Sequence, residues 1–234
     1  MLNAIIMASG MGTRMRPLTE TTPKPLIKVL ERPMIETVID GLEKRKVDNI
    51  FVVVGYLGEQ FGYLKEKYKN VEIIENPVYE TVNNISSVYY AREVLRKGDC
   101  FICEADLYAA DEDLFCGAPD YSCYYGKMVK GHSDDWVFDL DDNGFITRVG
   151  KVGDDRYNMT GVAFLKSADS EILADAIEKT YGCGDYKDLF WDDVVDRNLD
   201  KLRLRVHPVA HESIVEIDTV AELEEVRTRL QKIN

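Results

Sequence analysis

The chain opens with an apolar run that ends abruptly in a glycine-containing loop. Residues 4–8 read Ala-Ile-Ile-Met-Ala, and residues 9–13 read Ser-Gly-Met-Gly-Thr. This pattern predicts a buried strand that feeds a tight turn, as in an α/β sheet. The bare backbone N–H groups of such a loop can hold phosphate oxygens. The opening segment therefore favours nucleotide chemistry as the first functional hypothesis.

Three cations follow this loop. Arg14 and Arg16 come directly after it, and Lys24 stands between two prolines that fix its backbone direction. Arginine can bind phosphate oxygens in a bidentate manner, whereas lysine acts as a point charge. The two glycines alone fit an ordinary βα turn equally well, and neither a P-loop nor a dinucleotide-binding fingerprint is present. The candidate phosphate-binding residues are Ala8, Ser9, Gly10, Met11, Gly12, Thr13, Arg14 and Lys24.

The length, net charge and cysteine content of the chain restrict the classes of protein to which it can belong. The 234 residues suit one globular domain, and the net charge of −13 argues against a nucleic-acid partner, which needs a basic surface. Cys100 and Cys103 lie on a predicted strand, where residues three apart point to opposite faces and chelate poorly. We find no signal peptide and no apolar run of transmembrane length. We therefore expect a cytoplasmic protein without membrane insertion.

The chain divides into two halves with different patterns. Residues 1–118 alternate strands with helices, which predicts a doubly wound, mostly parallel sheet that holds the nucleotide. Residues 119–234 carry four short strand patterns without long helices between them, at 122–128, 136–140, 145–149 and 159–165. An Asp-Asp-Asn-Gly turn predicts a hairpin over residues 136–149. The predicted fold is a single α/β domain over 1–234, Rossmann-like, with a small β-rich insertion for an acceptor in 119–234.

Acidic residues end two of the predicted strands. Asp106 follows the strand at 100–104, and Glu216 and Asp218 follow the last strand. Such acids can cap a helix or face solvent, but the carboxyl ends of α/β strands are also where ligand sites form. Mg²⁺ binds through one or two carboxylates together with substrate phosphate oxygens. We predict that Asp106 and Asp218 hold Mg²⁺.

A polar segment precedes the helix predicted at 86–95. Asn83, Asn84 and Ser86 offer amides and a hydroxyl that can either cap the helix or hydrogen-bond the edge of a base. We predict that they contribute to nucleotide selection.

The loop and cations together resemble the signature of the nucleotidyltransferases that activate phosphorylated sugars and alcohols. The residues that carry the resemblance run from Ala4 to Thr19 and from Pro23 to Leu26. Ser9 stands where that family more often has alanine. The resemblance implies that the loop wraps a triphosphate. It also implies that Arg14 and Lys24 neutralise the charge of the transferred group and of pyrophosphate, and it agrees with a metal at Asp106 and Asp218.

Within that family, the chain resembles the bacterial choline-phosphate cytidylyltransferase branch over essentially its whole length. The paired asparagines, Phe190-Trp191-Asp192 and the Glu-Ile-Asp ending at Asp218 carry this resemblance. Aromatic faces and carboxylates can hold a quaternary ammonium, although the same aromatic residues also fit ordinary core packing. The candidate acceptor-binding residues are Trp136, Tyr124, Phe190, Trp191, Asp192 and Glu216.

The resulting hypothesis is a cytidylyltransferase that converts CTP and phosphocholine to CDP-choline and pyrophosphate with Mg²⁺. Catalytic residues would be Lys24, Arg14 and Asp106. Transfer to phosphoethanolamine or 2-aminoethylphosphonate is the nearest alternative, because a primary ammonium wants hydrogen-bond acceptors more than aromatic faces. The residue pattern also leaves open a sugar-1-phosphate nucleotidyltransferase and a non-catalytic nucleotide-binding regulator.

Overall fold

A computed structural model describes residues 1–117 and 119–232. The predicted boundary at residue 118 lies outside the described residues. The described residues form eleven strands: β1 Leu2–Ala8, β2 Lys28–Val29, β3 Arg32–Pro33, β4 Asn49–Val54, β5 Val71–Glu75, β6 Asp99–Glu104, β7 Leu107–Ala109, β8 Cys123–Leu140, β9 Ile146–Leu165, β10 Arg205–Pro208 and β11 Ile214–Glu216. Six α-helices are α1 Met34–Lys44, α2 Tyr63–Lys67, α3 Ile85–Leu95, α4 Ser167–Gly182, α5 Trp191–Asp196 and α6 Val220–Gln231.

Seven of the strands form one mixed sheet in the order β10-β8-β9-β6-β1-β4-β5. β1 runs parallel to both β4 and β6, with Met7 opposite Val53 and Glu104. Only the β6–β9 and β8–β9 pairs of this sheet are antiparallel. The predicted mostly parallel α/β fold is confirmed, and it places the carboxyl ends of β1 and β6 side by side.

The core lies on both faces of this sheet. Ile6 and Val52 pack in one cluster with residues of α1, whereas Ile5 and Val53 pack in another with residues of α3. Cys103 belongs to the first cluster and Cys100 to the second, so the two thiols point to opposite faces as predicted. Burial raises the pKa of both thiols, which suits inert core residues.

The second half contains fewer and longer strands than predicted. β8 and β9 form one long hairpin, with Asp139 opposite Arg148 and Leu140 opposite Ile146 around the predicted turn. The residues between the predicted strands, 129–135 and 150–158, also pair with each other. Many of these residues are exposed, so their side chains do not alternate between apolar and polar. The backbone pairing of the two strands therefore continues through a segment whose sequence does not indicate a strand.

Helix α5 is short. Only Trp191–Asp196 is helical, because backbone and side-chain hydrogen bonds tie residues 187–191 to the Asn83–Asn84 turn. Thr219 caps α6, since its Oγ1 accepts a hydrogen bond from the backbone N–H of Glu222. This cap fixes the chain next to Asp218. None of the described helices is long and apolar enough to cross a membrane.

Candidate nucleotidyl-transfer site

A cleft of about 310 Å³ opens at the carboxyl ends of β1 and β6. The parallel register of β1 with β6 brings the N-terminal loop next to the acids that follow β6. The loop, the Asn83 turn and the C-terminal acid Asp218 all reach this cleft. Its lining residues are Met7, Ala8, Ser9, Gly10, Gly12, Thr13, Arg14, Lys24, Pro25, Asn76, Tyr79, Val82, Asn83, Asn84, Ser86, Ser87, Glu104, Ala105, Asp106 and Asp218.

The loop after β1 is held from several sides. Gly12 has a φ of +59°, and a Cβ there would lie 2.8 Å from the Cβ of Lys24. Thr19 Oγ1 donates a hydrogen bond to the Gly12 carbonyl at 2.9 Å. Ser9 Oγ donates to the Val53 carbonyl at 3.1 Å, so this side chain anchors the loop. Among the predicted loop residues, only Met11 does not line the cleft, and its side chain is partly exposed.

Lys24 lies at the centre of the site. Its Nζ donates to Asp106 Oδ2 at 2.7 Å and to Asp218 Oδ1 at 2.6 Å, and Arg14 donates to the same Asp218 oxygen at 2.6 Å. Burial opposes a positive charge on Lys24, but the two carboxylates outweigh it, and the pKa of Lys24 rises. The lysine therefore keeps its proton at neutral pH. Asp106 and Asp218 are 82 and 194 positions away from Lys24 in the sequence, and the fold brings them into contact with it.

Three carboxylates form a candidate metal centre around this lysine. One oxygen from each of Asp106, Glu216 and Asp218 lies within 4.8 Å of the other two. Asp106 Oδ1 is buried and has no hydrogen-bond partner in the described part of the chain, so it remains available as a ligand. The oxygen-only donor set suits a hard divalent cation such as Mg²⁺. These residues therefore fit the metal that the sequence predicts.

Carboxyl groups are concentrated in this part of the cleft. The pKa of Glu216 is raised to about 8, mainly because the carboxyl is partly removed from water and also because Asp106 and Asp218 repel its negative charge. Burial and the neighbouring Asp106 likewise raise the pKa of Glu104 well above its usual range. Both carboxyls therefore lie where an added cation lowers the electrostatic energy.

Asn83 and Asn84 line the cleft, but much of their hydrogen-bonding capacity is already used. Asn83 Nδ2 donates to the Asp188 carbonyl at 3.2 Å, and Asn84 Oδ1 accepts from the Trp191 N–H at 3.0 Å. Ser86 Oγ donates to the Asn83 carbonyl and accepts from Asn76. The segment thus fastens residues 188–191 to the nucleotide side of the cleft.

Of the predicted acceptor residues, Glu216 lies beside Asp106 and Asp218, and the other five separate into two groups. Tyr124, Trp191 and Asp192 are 1%, 3% and 2% exposed, and the Tyr124 and Trp191 rings stack with centroids 5.6 Å apart. Tyr124 donates its hydroxyl to Asp192 at 3.0 Å. This trio packs in the core and does not line the cleft. Tyr124 and Trp191 lie in the core because burial of a large aromatic side chain is strongly favourable in free energy.

The other two aromatic residues are only half-buried. Trp136 packs edge-on against Phe190, with ring centroids 5.4 Å apart. Lys151 Nζ lies 5.6 Å from the Trp136 ring and 5.5 Å from the Phe190 ring. A cation of the protein thus already lies near these rings.

The buried Asp192 carboxyl should make stability depend on pH. Burial raises its pKa from 3.8 to about 7. The folded state therefore holds the proton more tightly than the unfolded state, so stability is lost as pH rises from about 4 to about 7. We expect Asp192→Asn to remove this loss. Relative to the wild type, its free energy of unfolding should rise by up to about 2 kcal/mol between pH 5.5 and pH 8.

Urea denaturation at several pH values measures this effect. Asp142→Asn, at an exposed turn position, is the matched control and should follow the wild-type pH profile. A constant difference between Asp192→Asn and the wild type across this pH range would contradict the assignment of the shifted pKa to Asp192.

The cleft also contains residues that were not predicted to be in the site. Glu104 stands two positions before Asp106 and Ser87 directly follows Ser86, so proximity in sequence was the available signal. No residue directly beside Tyr79 in the sequence was predicted to be in the site. Its ring packs over Gly55, where a Cβ would lie 2.6 Å from the Cγ of Tyr79. Long-range packing alone brings Tyr79 to the cleft.

Comparisons with known proteins agree with this geometry. The nucleotidyl transferase family model matches residues 3–120. The chain is 53% identical to the 2-aminoethylphosphonate cytidylyltransferase of Lancefieldella rimae, over 94% of this chain and 90% of that protein. It is 33% identical to the choline-phosphate cytidylyltransferase of Streptococcus pneumoniae, over the full length of both. The solved structure of the S. pneumoniae CTP:phosphocholine cytidylyltransferase superposes with a TM-score of 0.90, covering 98% of this chain and 99% of that one.

A parallel sheet with a glycine loop, a buried lysine and strand-end carboxylates defines a nucleotide-transferring class of protein. The chain belongs to the nucleotidyl transferase family. Its full-length similarity to two cytidylyltransferases places it near those members of the family.

Proposed function

We propose that the protein transfers the cytidylyl group of CTP to 2-aminoethylphosphonate, releasing pyrophosphate. The observation that carries the choice of acceptor is the burial of Tyr124 and Trp191, which removes two walls of a cage for a quaternary ammonium. The cleft instead offers carboxylates, which accept hydrogen bonds from a primary ammonium. The 53% identity with a relative named for this acceptor supports the same choice.

In the proposed reaction, a phosphonate oxygen of the acceptor attacks the α-phosphorus of CTP. A P–O–P bond forms between acceptor and nucleotide, and the bond from the α-phosphorus to the bridging oxygen of pyrophosphate breaks. The acceptor oxygen is already anionic, so no protein nucleophile or strong base is needed. Catalysis then depends on positioning and on charge neutralisation.

The residues of the cleft take distinct roles in this proposal. The loop from Ala8 to Thr13 holds the triphosphate with backbone N–H groups, and Arg14 and Lys24 stabilise negative charge on the phosphates. To do so, the two cations shift part of their bonding from Asp218 to the nucleotide. Residues 1–118 would thus form the nucleotide half, and residues 119–234 most of the acceptor half. Asn83, Asn84 and Ser86 would shape the base pocket.

Asp106 and Asp218 would hold Mg²⁺, with Glu216 beside them. When bound, this ion supplies positive charge that stabilises the phosphate oxygens during transfer. The unpartnered Asp106 Oδ1 and the three converging carboxylates are the observations that support the metal.

Pyrophosphate release measured with CTP, Mg²⁺ and a panel of acceptors tests the function. We expect kcat/KM for 2-aminoethylphosphonate to exceed that for phosphocholine by at least about tenfold, because a site built on hydrogen-bond acceptors discriminates against a group without N–H. The kcat/KM for phosphoethanolamine should lie between the values for 2-aminoethylphosphonate and phosphocholine. An equal or higher value for phosphocholine would contradict the proposed acceptor, and turnover only with UTP or dTTP and a sugar 1-phosphate would contradict cytidylyl transfer.

Phosphocholine remains the second candidate acceptor because of the Trp136–Phe190 pair. Two choline-phosphate cytidylyltransferases, from S. pneumoniae and Haemophilus influenzae, are 33% and 28% identical to the chain. The half-buried rings near Lys151 are the aromatic faces that a quaternary ammonium would use. If phosphocholine is the substrate, Trp136→Ala should raise its KM sharply and leave the KM for CTP unchanged.

A further inference from the structure

Glu104 projects into the cleft without a partner. It ends β6, opposite Met7 of β1, and lines the cleft two residues before Asp106. Its carboxylate makes no hydrogen bond or ion pair within residues 1–117 and 119–232. A carboxylate in a partly desolvated cleft is costly unless it is paired. A cation that arrives with a ligand would provide that pairing.

The stem of Glu104 is held in place by the backbone of β9. Gly161 has a φ of +76°, and a Cβ there would lie 3.0 Å from Cγ and 3.1 Å from Cβ of Glu104. The absence of a side chain at this position lets the strand pack directly on the glutamate. Glu104 is thus positioned by packing, as a specificity-determining group requires.

The charges around Glu104 favour a cation at this point. The carboxyls of Asp106, Glu216 and Asp192 disfavour a negative charge on Glu104, and Lys24 is the only cation among its main electrostatic partners in the described residues. Lys24 is already bound to Asp106 and Asp218. The carboxyls that converge on a possible metal position are those of Asp106, Glu216 and Asp218, and Glu104 is not among them. The remaining position is suited to a monovalent ammonium with N–H donors.

We propose that Glu104 binds the primary ammonium of the acceptor and thereby selects for an amine-bearing substrate. The inference rests on the proposed function, since that function supplies the ammonium. Glu104 accepts N–H hydrogen bonds from the ammonium while the phosphonate end lies toward Lys24 and the metal carboxylates. A quaternary ammonium has no N–H to donate, so it gains less from Glu104.

A comparison of paired substrates tests this role. Glu104→Gln keeps the size of the side chain and removes its charge. We expect its kcat/KM for 2-aminoethylphosphonate to fall roughly 10- to 100-fold, the value of a charge-assisted hydrogen bond. With ethylphosphonate, which lacks the amine, kcat/KM should change less than about threefold, and the KM for CTP should not change. Glu72→Gln, at an exposed position on β5 of the same sheet, is the matched control and should behave as the wild type.

The outcomes separate the inference from the function on which it rests. If the wild type uses 2-aminoethylphosphonate and Glu104→Gln lowers turnover of both phosphonates equally, the ammonium role is wrong. If the wild type prefers phosphoethanolamine, the proposed acceptor is wrong, but the same comparison against ethyl phosphate still decides the role of Glu104. If the wild type accepts no primary amine, both proposals fail. Thermal unfolding of each variant shows whether a loss reflects misfolding.

Discussion

Replacing Asp106 with asparagine should lower kcat/KM for nucleotidyl transfer by roughly 10³-fold while the protein stays folded. One oxygen of Asp106 holds the Lys24 ammonium at 2.7 Å, and the other is buried and free to bind a divalent cation. The asparagine keeps the shape of the side chain but removes the charge on which both interactions depend. Stability should not fall, because the change also relieves repulsion from Glu216 and Asp218.

Steady-state pyrophosphate release at saturating Mg²⁺ measures this loss, and the thermal unfolding midpoint verifies the fold. Asp142→Asn serves as the control, because it makes the same chemical change at an exposed turn. Wild-type turnover in folded Asp106→Asn would overturn the catalytic and metal-binding assignment. A loss with a strongly lowered unfolding midpoint would instead show that Asp106 acts through the fold.

Replacing Lys24 with glutamine should lower kcat/KM by roughly 10²- to 10³-fold. Lys24 is buried, and its Nζ is within 2.7 Å of both Asp106 and Asp218. In the proposed reaction, this ammonium neutralises charge on the phosphates, a role that an amide cannot fill. The same replacement at the exposed Lys201 should leave turnover unchanged.

A second measurement separates this role of Lys24 from a structural one. In the ligand-free protein, the ammonium lies between the carboxylates that would bind a metal, so it competes with the metal for them. Without nucleotide, Lys24→Gln should therefore bind Mn²⁺ more tightly than the wild type, as followed by the loss of free-ion signal in electron paramagnetic resonance. Equal or weaker Mn²⁺ binding by the folded variant would contradict this arrangement of charges.

The first half of the fold could be predicted well from the sequence. Apolar runs such as residues 50–54 are buried on both faces of a parallel sheet, so composition alone identifies them. The extension of β8 and β9 could not be predicted in this way. Its residues pair through backbone hydrogen bonds and are largely exposed, so their side chains carry no periodic signal.

The predicted site residues lie together in the cleft where their chemistry is uncommon in a core, and lie outside the cleft where their chemistry is ordinary in a core. Lys24, Asp106 and Asp218 are charged residues that would not be brought together without a reason, and they meet within hydrogen-bond distance. Tyr124 and Trp191 are large aromatic side chains, for which burial is favourable whether or not a ligand is present. The sequence pattern does not distinguish a ligand cage from a core aromatic pair.

The sequence by itself determined the chemistry available at the amino-terminal loop: glycines, two nearby arginines and a lysine between prolines, on an apolar strand. Only the tertiary structure decided which acids share the cleft with that lysine, since Asp106 and Asp218 reach it across 82 and 194 positions. It also buried Asp192 and left Glu104 facing the cleft. The physical reason is that local pattern reports on backbone geometry and amphipathicity, whereas access to a ligand depends on which distant surfaces pack together.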